Sequence, residues 1–233
     1  MGLPRDSLHV LCTLALKGVV EEIAALFHSV SIAAEFAPTK ILLHRLSAEK
    51  NADLVFLTEA GAKWLEQRVP FAAPPRLVAT SSLGLAVRKG GIAPSLGSAE
   101  EFISFLSKGP RIAYSRSGAS GIFFASLIEA LGIRDLVAPR SEIVDDGFVA
   151  RCLLSGGADY AVQQISELRY VKGIGPIVPF PEEMQERADF VCVIVEGPRS
   201  ALAEDLVAFF DTPQAAAILR SWGLVPSKVK PDL

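Results

Sequence analysis

Residues 113–124 read AYSRSGASGIFF: a strand end, a short polar turn and the opening of a helix. The turn carries Ser115, Ser117 and Ser120, the glycines Gly118 and Gly121, and Arg116. The first N–H groups of a helix lack intrahelical partners, and the helix dipole favours negative charge, so such a turn can hold an anion. The same residues also make an ordinary tight turn with N-cap chemistry. The run is neither G-x-S-x-G nor G-x-G-x-x-G nor a Walker pattern, so a hydrolase nucleophile and a nucleotide site are both unsupported.

Other residues of the right type stand elsewhere. Thr39 and Lys40 open a predicted helix, with His44 one turn further on the same face. A cation in a first helical turn opposes the dipole, which an anion sharing the site would offset. His44 suits a solvated face. Asp145 and Asp146 read as turn residues, and Asp146 could cap the helix that follows. Gln163 and Gln164 interrupt an apolar strand, and buried amides need partners. One of them facing a polar cleft would meet that need. Cys12, Cys152 and Cys192 are odd in number and far apart, which argues against a zinc site or a disulfide framework. They read as reduced, mostly buried thiols, in keeping with a cytoplasmic protein. No metal or cofactor is expected.

The elements that must position these residues follow from periodicity. Strands are predicted at LHVLCT (8–13), VSIAAEFA (30–37) and ADLVFLT (52–58), each followed by a helix. The first helix carries Val19, Ile23, Leu26 and Phe27 on one stripe. This βαβαβα order argues for a mainly parallel sheet covered by helices. A long strand (76–91) follows, then a helix with Ser98 and Glu101 at the spacing of a capping box. A second α/β unit comes next: strands RIAY, EIVDD and ADYAVQQ, with helices GIFFASLIEALG and GFVARCLLSGG. The strand DFVCVIVEG (189–197) leads to one or two closing helices. The expected architecture is α/β in two lobes, residues 1–80 with 195–233 forming the first and 81–194 the second.

Half of the 233 residues are hydrophobic and mean hydropathy is positive, enough apolar material for real cores. The formal charge of −3, with no basic run interleaved with aromatics, argues against nucleic-acid binding. The Lys228/Lys230 tail reads as a solvated end. No run is long enough to span a membrane. LHVLCTLAL has Asp6 before it, no A-x-A site after it, and charges at Lys17, Glu21 and Glu22, so it reads as a buried strand rather than a signal core. The chain as written is expected to be cytoplasmic, or periplasmic had a signal been removed.

The ordered stretches LHVLCTLALKGVVEEIAALF, FAPTKILLHRLSAEKNADLVFLTEAGAKWLEQ, SLGLAVRKG, RIAYSRSGASGIFFASLIEALG, LLSGGADYAVQQISEL and VIVEG…FFDTPQAAAILRSWG together resemble the type II periplasmic-binding-protein fold. Within it they are most similar to molybdate-binding, solute-capturing components of ABC transporters. The resemblance implies two hinged lobes with a small anion captured in the cleft between them, and an ABC transporter permease as partner. It also implies ligand-binding positions at Thr13, Ala15, Thr39, Lys40, Arg116, Ser117, Ser120, Asp146 and Gln164. Three of these depart from the family pattern. Ala15 stands where a serine is usual, Gln164 where a tyrosine is usual, and Asp146 where an apolar residue is usual. With Lys40 and Arg116 added, the site resembles one for a ligand carrying carboxylates more than a compact oxyanion cage. A few isomerases of the tricarboxylate aconitate resemble the same fold. On that alternative Arg116 and Lys40 would hold carboxylates, while Asp146 or His44 moved a proton.

Overall fold

The computed structural model describes residues 7–28, 30–49 and 51–227; the Lys228/Lys230 tail lies outside them. In chain order the elements are β1 (Ser7–Cys12), α1 (Lys17–Leu26), β2 (Ser31–Phe36), α2 (Thr39–Glu49), β3 (Leu54–Thr58) and α3 (Glu59–Glu66). Then come β4 (Arg76–Val87), α4 (Ala99–Ser107), β5 (Ile112–Ser115), α5 (Ala119–Ala130), α6 (Arg134–Val137) and β6 (Glu142–Val144). The rest are α7 (Arg151–Ser155), β7 (Tyr160–Gln164), α8 (Ile165–Tyr170), β8 (Ile177–Pro179), β9 (Arg187–Ile194), α9 (Ser200–Phe209), α10 (Pro213–Ser221) and β10 (Leu224–Pro226).

The chain divides into two compact units: one made of the chain up to Ser81 and from Ala188 onward, the other of Ser82–Arg187. The return to the first unit comes earlier than residue 195, because β9 pairs antiparallel with β3 from Phe190 to Ile194. A strand paired along that length belongs with its partner. β4 supplies strand to both units, its first part pairing with β10 and its second with β7 and β8.

In the first unit β2, β1 and β3 run parallel, with Cys12 opposite both Phe36 and Phe56. Strand side chains alternate between faces, and here both faces are covered. Leu8, Val10, Cys12, Leu54, Phe56, Phe190, Cys192 and Ile194 join a core with α1, α9 and α10. Leu11, Val55, Leu57, Val191 and Val193 join the opposite core with Leu42, Leu46 and Leu65 of α2 and α3. Val19 and Ile23 are buried as the helical stripe requires, but Leu26 is 42% exposed at the last turn of α1.

The second unit repeats the scheme with β5 parallel to β6 and to β7, and the second part of β4 antiparallel to β7. Its core gathers Leu83, Leu85, Phe102, Ile112, Tyr114, Phe124, Val162 and Phe180. Tyr114 meets Phe124 edge-on with ring centroids 5.2 Å apart, the geometry aromatic pairs prefer. The Ser98 cap forms, its hydroxyl accepting from the Glu101 N–H at 3.2 Å. The reciprocal half of the box does not. The Glu101 carboxylate accepts instead from the Gly97 N–H and the Ser95 hydroxyl, each at 2.7 Å.

Four short elements, α6, α8, β8 and β10, add to the predicted set. The helix predicted from Gly147 starts only at Arg151, because Gly147 sits at φ +87°, outside the helical region.

Candidate functional site

In both units the candidate residues lie where parallel strands end. This is the place where open α/β sheets expose helix N-termini to ligands. Each half is described within its own unit.

In the first unit the register brings two hydroxyls together. The Thr13 N–H donates to the Phe56 carbonyl at 2.9 Å, and the Ala37 N–H to the Cys12 carbonyl at 3.2 Å. These bonds draw the ends of β1, β2 and β3 side by side, so the Thr39 hydroxyl donates to the Thr13 hydroxyl at 3.3 Å. Thr13 is buried, and Thr39 opens α2. Ala15 falls in a 3-10 turn, Leu14–Leu16, with its methyl in the core. Its side chain is therefore turned to packing, and only its backbone could serve a ligand. Lys40 and His44 are both exposed on α2. Sequence reading missed Lys17, whose ammonium lies 4.0 Å from the centre of the Phe36 ring and pairs with Glu21 at 3.0 Å. The cue was present: a lysine four residues beyond the Thr13 turn.

In the second unit the 115–120 turn is fixed from several sides. Ser115 Oγ accepts from the Gly118 N–H at 2.9 Å, and the Arg116 N–H donates to the Val144 carbonyl at 2.7 Å. A side chain at Gly121 would put its Cβ 1.8 Å from the Ser115 carbonyl oxygen, so only glycine lets α5 start this close to β5. Ser120 is buried in the first turn of α5. The Ser117 hydroxyl donates to the Asp145 carbonyl at 2.6 Å. Arg116 is not isolated: its Nε donates to Asp145 Oδ1 at 2.8 Å, both side chains being largely exposed. The pair aims the guanidinium while leaving its two Nη groups outside that bond. Asp146 is exposed.

β7 ends beside this turn. Gln163 holds the 147–149 loop: its Oε1 accepts from the Val149 N–H and its Nε2 donates to the Gly147 carbonyl, each at 2.9 Å. Gln164 is buried with its Oε1 unpaired, and Ser166 is buried with its hydroxyl unpaired. Buried polar atoms without partners are costly, and a ligand that supplies the missing bond is one remedy. Of the two glutamines, the neighbouring Gln163 is thus the structural one and Gln164 the one with spare capacity.

The thiols offer no nucleophile. Burial pushes Cys12 well above the ordinary thiol range and Cys192 up to about 11. Both therefore stay protonated and inert at neutral pH. Among the described residues no group of three or more His, Cys, Asp or Glu side chains could hold a metal ion, and no helix is long and apolar enough to cross a membrane.

With the turns at the strand ends in view, the class of protein follows. Residues 8–225 match the bacterial extracellular solute-binding protein family, and the chain belongs to it. Among curated relatives, it is 24% identical over 241 residues to an aconitate isomerase from Pseudomonas sp, covering 98% of this chain and 91% of that protein. It is 23% identical over 227 residues to the molybdate-binding protein ModA of Escherichia coli, covering 92% of this chain and 87% of that one. Among solved structures, the periplasmic molybdate-binding protein of Azotobacter vinelandii superposes with a TM-score of 0.77 at 18% identity, covering 97% of this chain and all of that one. The type II periplasmic-binding-protein fold expected from the sequence is the fold of the chain.

Proposed function

We propose that this protein is a solute receptor that captures a small organic anion bearing carboxylates, with the Ser115–Ser120 turn as its binding element. The observation that carries this reading is the Arg116–Asp145 pair. It presents a guanidinium, oriented by its own carboxylate, at the N-terminus of α5. A guanidinium matches a carboxylate through two parallel hydrogen bonds. A compact tetrahedral oxyanion is less well served, because Ala15 brings no hydroxyl and Gln164 stands where the resemblance called for a tyrosine. The family relationship supports delivery to an ABC transporter permease and a periplasmic location.

A thermal-shift panel tests the proposal, because a ligand that binds the native state raises apparent stability by mass action. Citrate and other di- and tricarboxylates are expected to raise Tm in proportion to the logarithm of concentration. Molybdate, tungstate and sulfate at equal concentration are expected to do little. Stabilisation by the metal oxyanions alone would overturn the carboxylate assignment.

A further inference from the structure

Gln164 is 6% exposed, yet among the described residues its Oε1 has no hydrogen-bond partner. Where that oxygen points follows from the sheet. Leu83 stands directly opposite Gln164 on the antiparallel β4. Opposed residues of a ladder share a face. Leu83 packs in the core that holds Tyr114, Val162, Phe124 and Ile128. Phe124 and Ile128 are the buried side chains of α5, so α5 covers this face. Gln164 therefore projects on the side of α5, two residues beyond Val162, where the strand runs out. Gln163 projects to the other face and holds the 147–149 loop.

The parallel pairing of β5 with β7 sets the level along the strands. Three positions past the Ala113–Ala161 pair stand Arg116 and Gln164. α5 opens from the same end of the sheet, so close to β5 that a Cβ on Gly121 would lie 1.8 Å from the Ser115 carbonyl oxygen. The unpaired oxygen and the N-terminus of α5 thus meet at one corner of one unit. Ser166, 3% exposed, also leaves its hydroxyl unpaired, so the two side chains do not satisfy each other.

The chemistry of this corner is two-sided. The first N–H groups of α5 and the Arg116 guanidinium are donors and take a carboxylate. An amide oxygen is an acceptor only, and so is an ionised carboxylate, so a carboxylate cannot serve Gln164 Oε1. That oxygen needs a donor from the ligand. An ammonium is a poor choice beside Arg116, whose counter-charge, Asp145, is already engaged. A neutral hydroxyl fits.

We propose that the captured anion is a hydroxycarboxylate, its carboxylate on the α5 N-terminus and Arg116 and a neighbouring hydroxyl donating to Gln164 Oε1. This rests on the reading of the 115–120 turn as a carboxylate site. Calorimetric titration with two matched pairs tests it: citrate against tricarballylate, and malate against succinate, each pair differing by one hydroxyl. Aspartate, with an ammonium in place of that hydroxyl, is titrated beside malate. All are measured at a pH where the carboxylates are fully ionised, in wild type and in Gln164→Met, which keeps the length of the side chain and removes the acceptor.

Wild type is expected to bind the hydroxyl-bearing member of each pair about 10- to 100-fold more tightly, because the other leaves a buried acceptor unmatched. In Gln164→Met the two members should come within about threefold of each other. Aspartate should bind more weakly than malate. Saturable binding of tricarballylate as tight as that of citrate overturns the hydroxyl assignment and leaves the carboxylate reading standing; this wild-type comparison needs no variant. A gap that persists in Gln164→Met overturns the part given to Gln164. Aspartate bound as tightly as malate overturns the choice of a hydroxyl over an ammonium. If none of these acids binds wild type, the carboxylate reading itself falls, and the hydroxyl assignment with it.

Discussion

Arg116 shows how a residue's meaning changes between sequence and structure. Its type and place, beside small polar residues before a helix, already mark it as a candidate anion ligand. Its partner was not legible, because Asp145 lies 29 positions away and meets it only through the pairing of β5 with β6. Thr13 and Thr39 were readable as hydroxyls at strand ends, while their 3.3 Å contact required the parallel register. If Arg116 meets a carboxylate, Arg116→Ala should weaken citrate binding by about 10- to 100-fold, the range expected for a hydrogen bond to a charged group. Arg116→Lys should recover only part of this, because an ammonium cannot make the two parallel bonds of a guanidinium. Calorimetric titration of the three proteins checks both statements. Equal affinity in all three would remove Arg116 from the site.

Elements were read more easily than caps and short turns. Buried strands alternating with amphipathic helices declare themselves through period, whereas α6, α8 and β10 are too short to show one. The Ser98 capping box illustrates a further limit: the spacing was right, but Gly97 and Ser95 offered Glu101 better-placed donors than the N-cap N–H. Gly121 is an element-scale constraint. With a Cβ placed 1.8 Å from the Ser115 carbonyl oxygen, Gly121→Ala must push α5 off β5. It should cost about 3 kcal/mol, at the upper end of overpacking effects, and lower the urea midpoint accordingly. A midpoint within error of wild type would show that the helix can shift freely.

Glu167, in the first turn of α8, makes a second prediction. The Glu167 carboxyl is raised from 4.5 to about 8, so the folded state holds its proton more tightly than the unfolded chain does. Between those two values the native state binds more protons, and stability must fall as pH rises through that window. The contribution is complete below the unfolded value and gone above about pH 8. Urea midpoints measured from pH 5 to pH 9 should decline more steeply for wild type than for Glu167→Gln. Parallel profiles would contradict this.

At the scale of the whole molecule, the order of strands and helices was enough to assign the architecture, and the match of residues 8–225 to a solute-binding family agrees with it. The point of return to the first unit was harder to place. DFVCVIVEG looks alike whichever sheet receives it, and only the β3 pairing assigns it. Ligand chemistry is harder still, because relatives of near-equal identity, 24% and 23%, carry different names: an aconitate isomerase and a molybdate-binding protein. Fold is shared among such proteins, and function resides in a few side chains at strand ends. The side chains proposed for that role here are two threonines, a glutamine with an unpaired oxygen, and a guanidinium held by an aspartate.

The most direct test is therefore calorimetric titration of the wild-type protein with citrate and, separately, with molybdate under identical buffer and salt. The account predicts saturable binding of one citrate per chain and no saturable heat from molybdate. Saturation by molybdate with none by citrate would contradict it.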